Sequence, residues 1–220
     1  MSRILCIESS AAICSVGLYE DGNELGYRED RNGFKHSEML AAFVDELLPL
    51  GKPDAIAISK GPGSYTGLRI GVSLAKGLAY GFGIPVIAIP TLEALAESVR
   101  ETRKEEVVYY PMVDARRMEV YTAGYDSEGK EIEATHALVV EANSLTGDKK
   151  KLLFGDGADK LQGLLGDRQD IEIISGIFPE AKQLAKPAFR KFEKQEFEDL
   201  AYFEPFYLKE FVAQLPKKKL

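Results

Sequence analysis

The stretch Ser59-Lys60-Gly61-Pro62-Gly63-Ser64-Tyr65-Thr66-Gly67-Leu68-Arg69-Ile70-Gly71 constrains this chain more than any other. The short apolar run at 54–58 reads as a buried strand, and residues 68–80 hold good helix formers and no proline. Gly61-Pro62-Gly63 is therefore a tight turn between strand and helix, with Ser64 as the N-cap. Such a turn offers backbone N–H groups and the positive end of a helix, which suits a phosphate. The same glycines would also serve a backbone that only turns and packs closely. The spacing is not that of the Walker loop with its Lys-Ser/Thr ending. Within the helix, Gly67, Gly71, Ala75 and Ala79 recur every four residues and leave one face nearly bare. A glycine inside a helix costs about 1 kcal/mol against alanine. A second backbone is expected to approach that face, either the chain's own sheet or a helix of another subunit.

The remaining sequence supplies the frame. Strands are predicted at 3–7, 13–19 and 24–29, with Asp21-Gly22-Asn23 as a hairpin turn. Glu8, Ser9 and Ser10 follow the first strand, either as a capped turn or as a loop toward a nucleotide phosphate or its metal. An amphipathic helix is predicted at 37–48, with Ser37 as N-cap and Met39, Leu40, Phe43, Val44, Leu47 and Leu48 on its apolar face. His36 at its start reads as a cap or surface residue, because a helical metal pair would need a second ligand at position 40, which is leucine. A strand at 86–89 and a helix at 92–101, capped by Thr91, complete a first half, and 101–106 is a charged junction. Strands at 107–113, 120–125, 137–140 and 151–154 follow, then a second phosphate-compatible turn at Gly155-Asp156-Gly157. A helix at 158–165, a strand at 171–174 and helical character over 179–198, divided or kinked at Pro187, close the chain. The order of three strands followed by alternation occurs twice, which predicts an α/β fold of two related mixed-sheet domains, 1–104 and 105–220.

Composition limits the partners. No apolar run approaches the ~20 residues of a membrane span. The chain enters a strand within its first residues, without room for a signal peptide, and Cys6 and Cys14 lie in or beside strands as small apolar groups. A cytoplasmic protein is expected. The net charge is −7, the dense basic run Lys217-Lys218-Lys219 is read as a solvated tail, and Arg116-Arg117 is only a pair. Such a surface is not expected to grip nucleic acid unaided.

The motif from Gly61 to Gly71 closely resembles the signature of the TsaB (YeaZ) family. Ile4-Leu5-Cys6-Ile7-Glu8-Ser9-Ser10, His36-Ser37-Glu38-Met39-Leu40, the stretch Val113-Asp114-Ala115-Arg116-Arg117-Met118-Glu119-Val120-Tyr121 and Tyr207-Leu208-Lys209 are similar to its other motifs, so the likeness spans nearly the whole chain. The resemblance implies the actin/sugar-kinase/heat-shock-chaperone (ASKHA, ribonuclease-H-like) fold. It also implies a non-catalytic subunit in the synthesis of threonylcarbamoyladenosine beside the anticodon of tRNAs reading ANN codons. Its implied partners are the catalytic relative TsaD and the ATPase TsaE, with tRNA contacted mainly through the partner and a homodimer open for the isolated chain. No firmly bound cofactor is implied, and ATP or ADP is left open only for the complex with TsaD. TsaD holds a metal through His-x-x-x-His, of which only His36 is present here, with Leu40 in the second place, so no metal and no peptidase activity are expected. Glu8 stands where most of the family carries aspartate. The first two helices of the family form its subunit interface. The corresponding candidates are Leu40, Phe43, Val44, Leu47, Gly67, Ile70, Gly71, Leu74 and Ala75, each of which could instead be core. Ser9, Ser10, Gly61, Gly63, Ser64, Gly155 and Gly157 are the candidates for phosphate loops, and on them rests the alternative of an autonomous ATP-dependent phosphotransferase.

Overall fold

The computed structural model describes residues 1–33 and 35–209. The Lys217-Lys218-Lys219 run lies outside them. The first half contains strands β1 (Arg3–Glu8), β2 (Cys14–Glu20), β3 (Asn23–Asp30), β4 (Ala55–Gly61) and β5 (Val86–Pro90), with helices α1 (His36–Leu47), α2 (Tyr65–Phe82) and α3 (Thr91–Thr102). The second half contains β6 (Val108–Asp114), β7 (Glu119–Tyr125), β8 (Glu131–Val139), β9 (Lys151–Phe154) and β10 (Ile171–Ile174), with α4 (Gln162–Leu165) and α5 (Ala181–Glu193). The sheets have orders β3-β2-β1-β4-β5 and β8-β7-β6-β9-β10, the same topology read from either chain direction. In each sheet the first three strands form an antiparallel meander, and the first strand then pairs in parallel with the fourth. This is the duplicated α/β architecture of the actin-like fold.

The central strands are buried on both faces, so β1 and β4 read as continuous apolar runs instead of alternating ones. Leu5, Ile7, Ile56 and Ile58 face α1 and α2, packing with Leu40, Phe43, Val44, Leu47, Val72 and Ala75. Ile4, Cys6, Ala55 and Ala57 face the other way, onto Ala181, Leu184, Ala185 and Ala188 of α5. The last helix of the second half thus covers the first sheet. Conversely Leu92, Leu95, Ala96 and Val99 of α3 cover the second sheet, against Tyr109, Val113, Leu152 and Phe154. The two crossing helices lie side by side between the sheets, joined by Arg190 Nη2 to Glu97 Oε2 at 2.6 Å. The strands divide near residue 104, but the helical layer is shared.

Several local readings are corrected. α1 starts at His36 with Lys35 at the N-cap, so Ser37 lies inside the helix, not at its cap. Strand β8 begins at Glu131, six residues before the predicted start, because its pairing to β7 overrides a polar sequence. Pro187 lies within an uninterrupted α5 that ends at Glu193, and its ring is buried among the residues of that helix's packed face. The second half has no counterpart of α1, since 140–150 is turns and bends.

Because α5 belongs by chain order to one half and by packing to the other, Leu184→Ala should lower stability by about 2–5 kcal/mol. Urea unfolding followed by fluorescence and by far-ultraviolet circular dichroism should show one shared transition. Separate transitions for the halves would contradict this shared layer.

Candidate functional site

The parallel strands β1 and β4 in one sheet, and β6 and β9 in the other, end on the same side of the molecule. Their following turns enclose a cleft of about 670 Å³, lined by residues that include Ser10, Gly63, Ser64, Asp114, Arg116, Asp156 and Tyr207. A crevice outside the carboxyl ends of strands is where open α/β sheets place ligands.

The turn after β1 is built around Glu8. Its carboxylate is buried and accepts hydrogen bonds from Ser10 N (2.6 Å) and Ser59 Oγ (2.7 Å). Burial pushes its pKa up, and the hydrogen bonds from Ser10 and Ser59 oppose that shift. The chain then runs against α2 without a gap. A methyl group built on Gly67 would overlap the Ser9 carbonyl oxygen, and one on Gly63 would stand 2.7 Å from Ser10 Cβ. At Gly71 it would stand 2.9 Å from Ser9 Cβ and 3.0 Å from Ile58 Cδ1. The glycine stripe is a seam for the chain's own first loop. His36 ties the same loop, its Nε2 donating to the Ala11 carbonyl at 2.8 Å, so the residue read as a cap or surface group is a buried anchor.

The second half repeats this device. Gly61, which ends β4, and Gly155, which follows β9, both have φ 107°, a conformation open to glycine. Gly157 lies against the end of β6 as Gly63 lies against Ser10: a methyl group there would stand 2.9 Å from the Val113 carbonyl carbon. Asp114 N donates to Asp156 Oδ1 at 3.2 Å, and Lys160 pairs with Asp114. Burial, with the Asp114 and Glu8 charges added, raises the Asp156 pKa to about 6. The second half therefore gives the cleft an acidic wall, lined by Asp114, Glu119 and Asp156.

This geometry changes the reading of the phosphate loops. Of the seven candidates, Ser10, Gly63 and Ser64 line the cleft, whereas Ser9, Gly61, Gly155 and Gly157 are packed behind it. Four backbone donors are also occupied, whereas the Ser9 and Ser10 hydroxyls are buried without a partner among the described residues. Ser10 N binds Glu8, Ser64 N binds the Ser10 carbonyl (2.7 Å), Gly67 N binds Ser64 Oγ (3.3 Å) and Gly157 N binds the Met112 carbonyl (3.0 Å). Ser64 caps α2 as expected. Among the described residues, no group of three or more His, Cys, Asp or Glu side chains is placed to hold a metal ion. None of the described helices is long and apolar enough to cross a membrane.

The interface candidates also sort by position. Leu40, Phe43, Val44, Leu47, Gly67, Gly71 and Ala75 are buried within the chain's own fold, leaving Ile70 and Leu74 partly exposed. These seven take the core position that the sequence left open for each of them. The outward face of α2 carries a second small stripe, Ser73, Gly77 and Gly81, with Tyr80 beside it at 83% exposure. A methyl group at Gly77 or Gly81 would meet nothing within 4 Å. The sequence signal for this stripe was the same four-residue spacing, one face over.

The segment after α5 completes the site. Glu198 bridges to Val86, Phe203 enters the first core, and Phe206 N donates to the Lys60 carbonyl at 2.7 Å. The Tyr207 ring then lies 4.9 Å from that of Tyr65, and Lys209 pairs with Glu119 of the second half.

Two lobes of one topology facing across such a cleft define the actin-like class. Residues 34–214 match the family model described as TsaD, tRNA N6-adenosine threonylcarbamoyltransferase. The chain is 30% identical over 240 aligned positions to the Escherichia coli protein named tRNA threonylcarbamoyladenosine biosynthesis protein TsaB, spanning 99% of this chain and all of that protein. The solved structure of YeaZ from Pseudomonas aeruginosa superimposes with a TM-score of 0.78 at 28% identity, covering 94% of this chain and all of that one. EutJ, an ethanolamine utilization protein from Carboxydothermus hydrogenoformans, shares the fold at a TM-score of 0.52 and 9% identity, over 84% of this chain and 90% of its own. The chain belongs to the TsaB (YeaZ) family.

The raised pKa of Asp156 has a signed consequence. Its folded-state pKa of about 6 exceeds that of the unfolded chain, so the folded state holds the extra proton between about pH 4 and 6. Stability contributed by this group should fall as pH rises through that window and stay level above it. Asp156→Asn should remove that decline, as read by urea midpoints against pH; an unchanged slope would contradict the assignment.

Proposed function

We propose that this chain acts in threonylcarbamoyladenosine synthesis as a non-catalytic partner, holding a TsaD-type transferase in its productive state. The relatives named for that biosynthesis support the process. The outward stripe Ser73, Gly77 and Gly81 carries the partner reading. Interior glycines cost about 1 kcal/mol each, and open space surrounds these two, so the chain's own packing does not need them. A closely approaching helix of another chain would. Ile70 and Leu74 flank the stripe as partly buried apolar groups, and Ala41 and Ala42 are small residues on the exposed side of α1. Association of this kind acts by coupling: the pair favours one conformation of the partner's active site. The same stripe would serve a homodimer when the chain is alone.

Adenine nucleotide then belongs to the assembled complex, with TsaE as the ATPase that joins it, and not to a phosphotransferase formed by this chain. The internally bonded N–H groups of Ser10, Ser64 and Gly67 support that division. Most contact with tRNA falls to the partner, in keeping with a net charge of −7.

Light scattering after gel filtration tests the reading. Mixed with TsaD from the same organism, the chain should form a one-to-one complex, replacing any homodimer. Gly77→Arg should abolish it, with affinity reduced by about 100-fold or more, while the variant's own thermal unfolding stays unchanged. Complex formation by the variant at wild-type affinity would overturn this interface.

A further inference from the structure

The chain has ten arginines, and eight of them are engaged. Arg3, Arg28, Arg31, Arg103, Arg168 and Arg190 pair with carboxylates, Arg100 donates to the Ser127 carbonyl and Arg69 to Tyr65 Oη. Arg116 and Arg117 are the exceptions. Both are exposed, and neither guanidinium has a hydrogen bond or ion pair among the described residues. They stand side by side in the turn from β6 to β7, at the rim of the cleft.

Their backbone is also costly. Arg116 has φ 71° and Arg117 φ 51°, consecutive left-handed residues that are not glycine. The turn is fixed by Arg116 N to Asp114 Oδ1 (3.0 Å) and Glu119 N to the Arg116 carbonyl (3.2 Å). In an acidic protein whose other arginines are all engaged, this unfavourable turn holds two positive charges open to a ligand. The same rim carries the Tyr65–Tyr207 ring pair, with the Arg69 guanidinium 5.4 Å from the Tyr65 centroid. Open guanidinium groups beside aromatic rings are the combination that binds single-stranded nucleic acid, phosphates on the cations and bases on the rings.

We propose that this rim is an RNA-contact site, in which Arg116 and Arg117 hold phosphodiesters of a single-stranded segment and the Tyr65–Tyr207 pair stacks a base. The proposal rests on the tRNA-modification reading and adds a second, smaller RNA contact to the partner's. An RNA backbone fits better than a free nucleoside triphosphate. Consecutive phosphates reaching into the cleft would meet the carboxylates of Asp114 and Asp156 and the already bonded N–H groups of Ser10 and Ser64, whereas phosphates spaced along a polymer can remain at the rim.

The test is fluorescence anisotropy of the full chain with a labelled anticodon stem-loop RNA over a salt series. Arg116→Gln with Arg117→Gln should weaken binding by about tenfold at low salt and reduce the slope of log K against log salt by about 1.4, at roughly 0.7 per single-strand phosphate. Tyr207→Ala should weaken binding without changing the slope. Lys149→Gln with Lys194→Gln removes the same charge from exposed positions elsewhere and should change affinity by no more than about twofold. No saturable binding by the wild type, or equal losses in the two double variants, would overturn the site. Displacement of the RNA by free ATP at equal nucleotide concentration would transfer the ligand to the mononucleotide and equally overturn it. Complex formation with TsaD is read separately, so a one-to-one complex without this RNA contact sinks the present inference alone. Loss of the complex sinks the reading beneath it.

Discussion

The structure depends on the contact between the loop after β1 and the first turns of α2. Three glycines, Gly63, Gly67 and Gly71, remove every Cβ that would keep the two backbones apart. Into that seam the chain places a buried carboxylate, Glu8, tolerated because Ser10 N and Ser59 Oγ donate to it. The seam fixes where β1 and β4 end and therefore where the cleft opens. It also engages the N–H groups of Ser10, Ser64 and Gly67, donors that could hold a phosphate in another protein. The long glycine motif thus serves first as a packing device, and its chemical potential is largely internal.

The second half uses the same principle with less material. Gly155 and Gly157 repeat Gly61 and Gly63, and Asp114 ends β6 as Glu8 ends β1. Yet a short α4 replaces the long α2, and turns replace α1. The outer face of the first sheet is therefore covered by two full helices with an exposed side, while the second sheet has only a thin cover from Ala158, Leu161 and Leu165. Duplication explains the cleft. The asymmetry explains why one lobe offers a helical surface.

Much of this was legible in the sequence, and what was not has physical causes. Apolar runs such as 55–58 and 151–154, the turn at 61–63 and the Ser64 cap follow from local patterning and chemistry. The side chosen by α2 does not. Gly67-Gly71-Ala75-Ala79 and Ser73-Gly77-Gly81 are both small stripes at helical spacing, and only the packing of Leu68 and Val72 decides which one faces inward. His36 looked solitary because its partner, the Ala11 carbonyl, is a backbone group 25 residues away and no side-chain pattern announces it. The exchange of α3 and α5 between sheets was equally hidden, since an amphipathic helix specifies a face to bury and not the sheet that buries it. The paired arginines were visible from the start, but their exceptional status emerged only once the partners of the other eight were known.

The most direct measurement is amide hydrogen exchange, read residue by residue on the isolated chain with and without magnesium ATP. If the seam is a permanent internal contact, the amides of Ser10, Ser64 and Gly67 should be protected to nearly the level of β1 and β4, and nucleotide should leave them unchanged. Exchange of these three at the rate of open loops, or protection gained only on adding ATP, would show donors waiting for a phosphate and contradict the account.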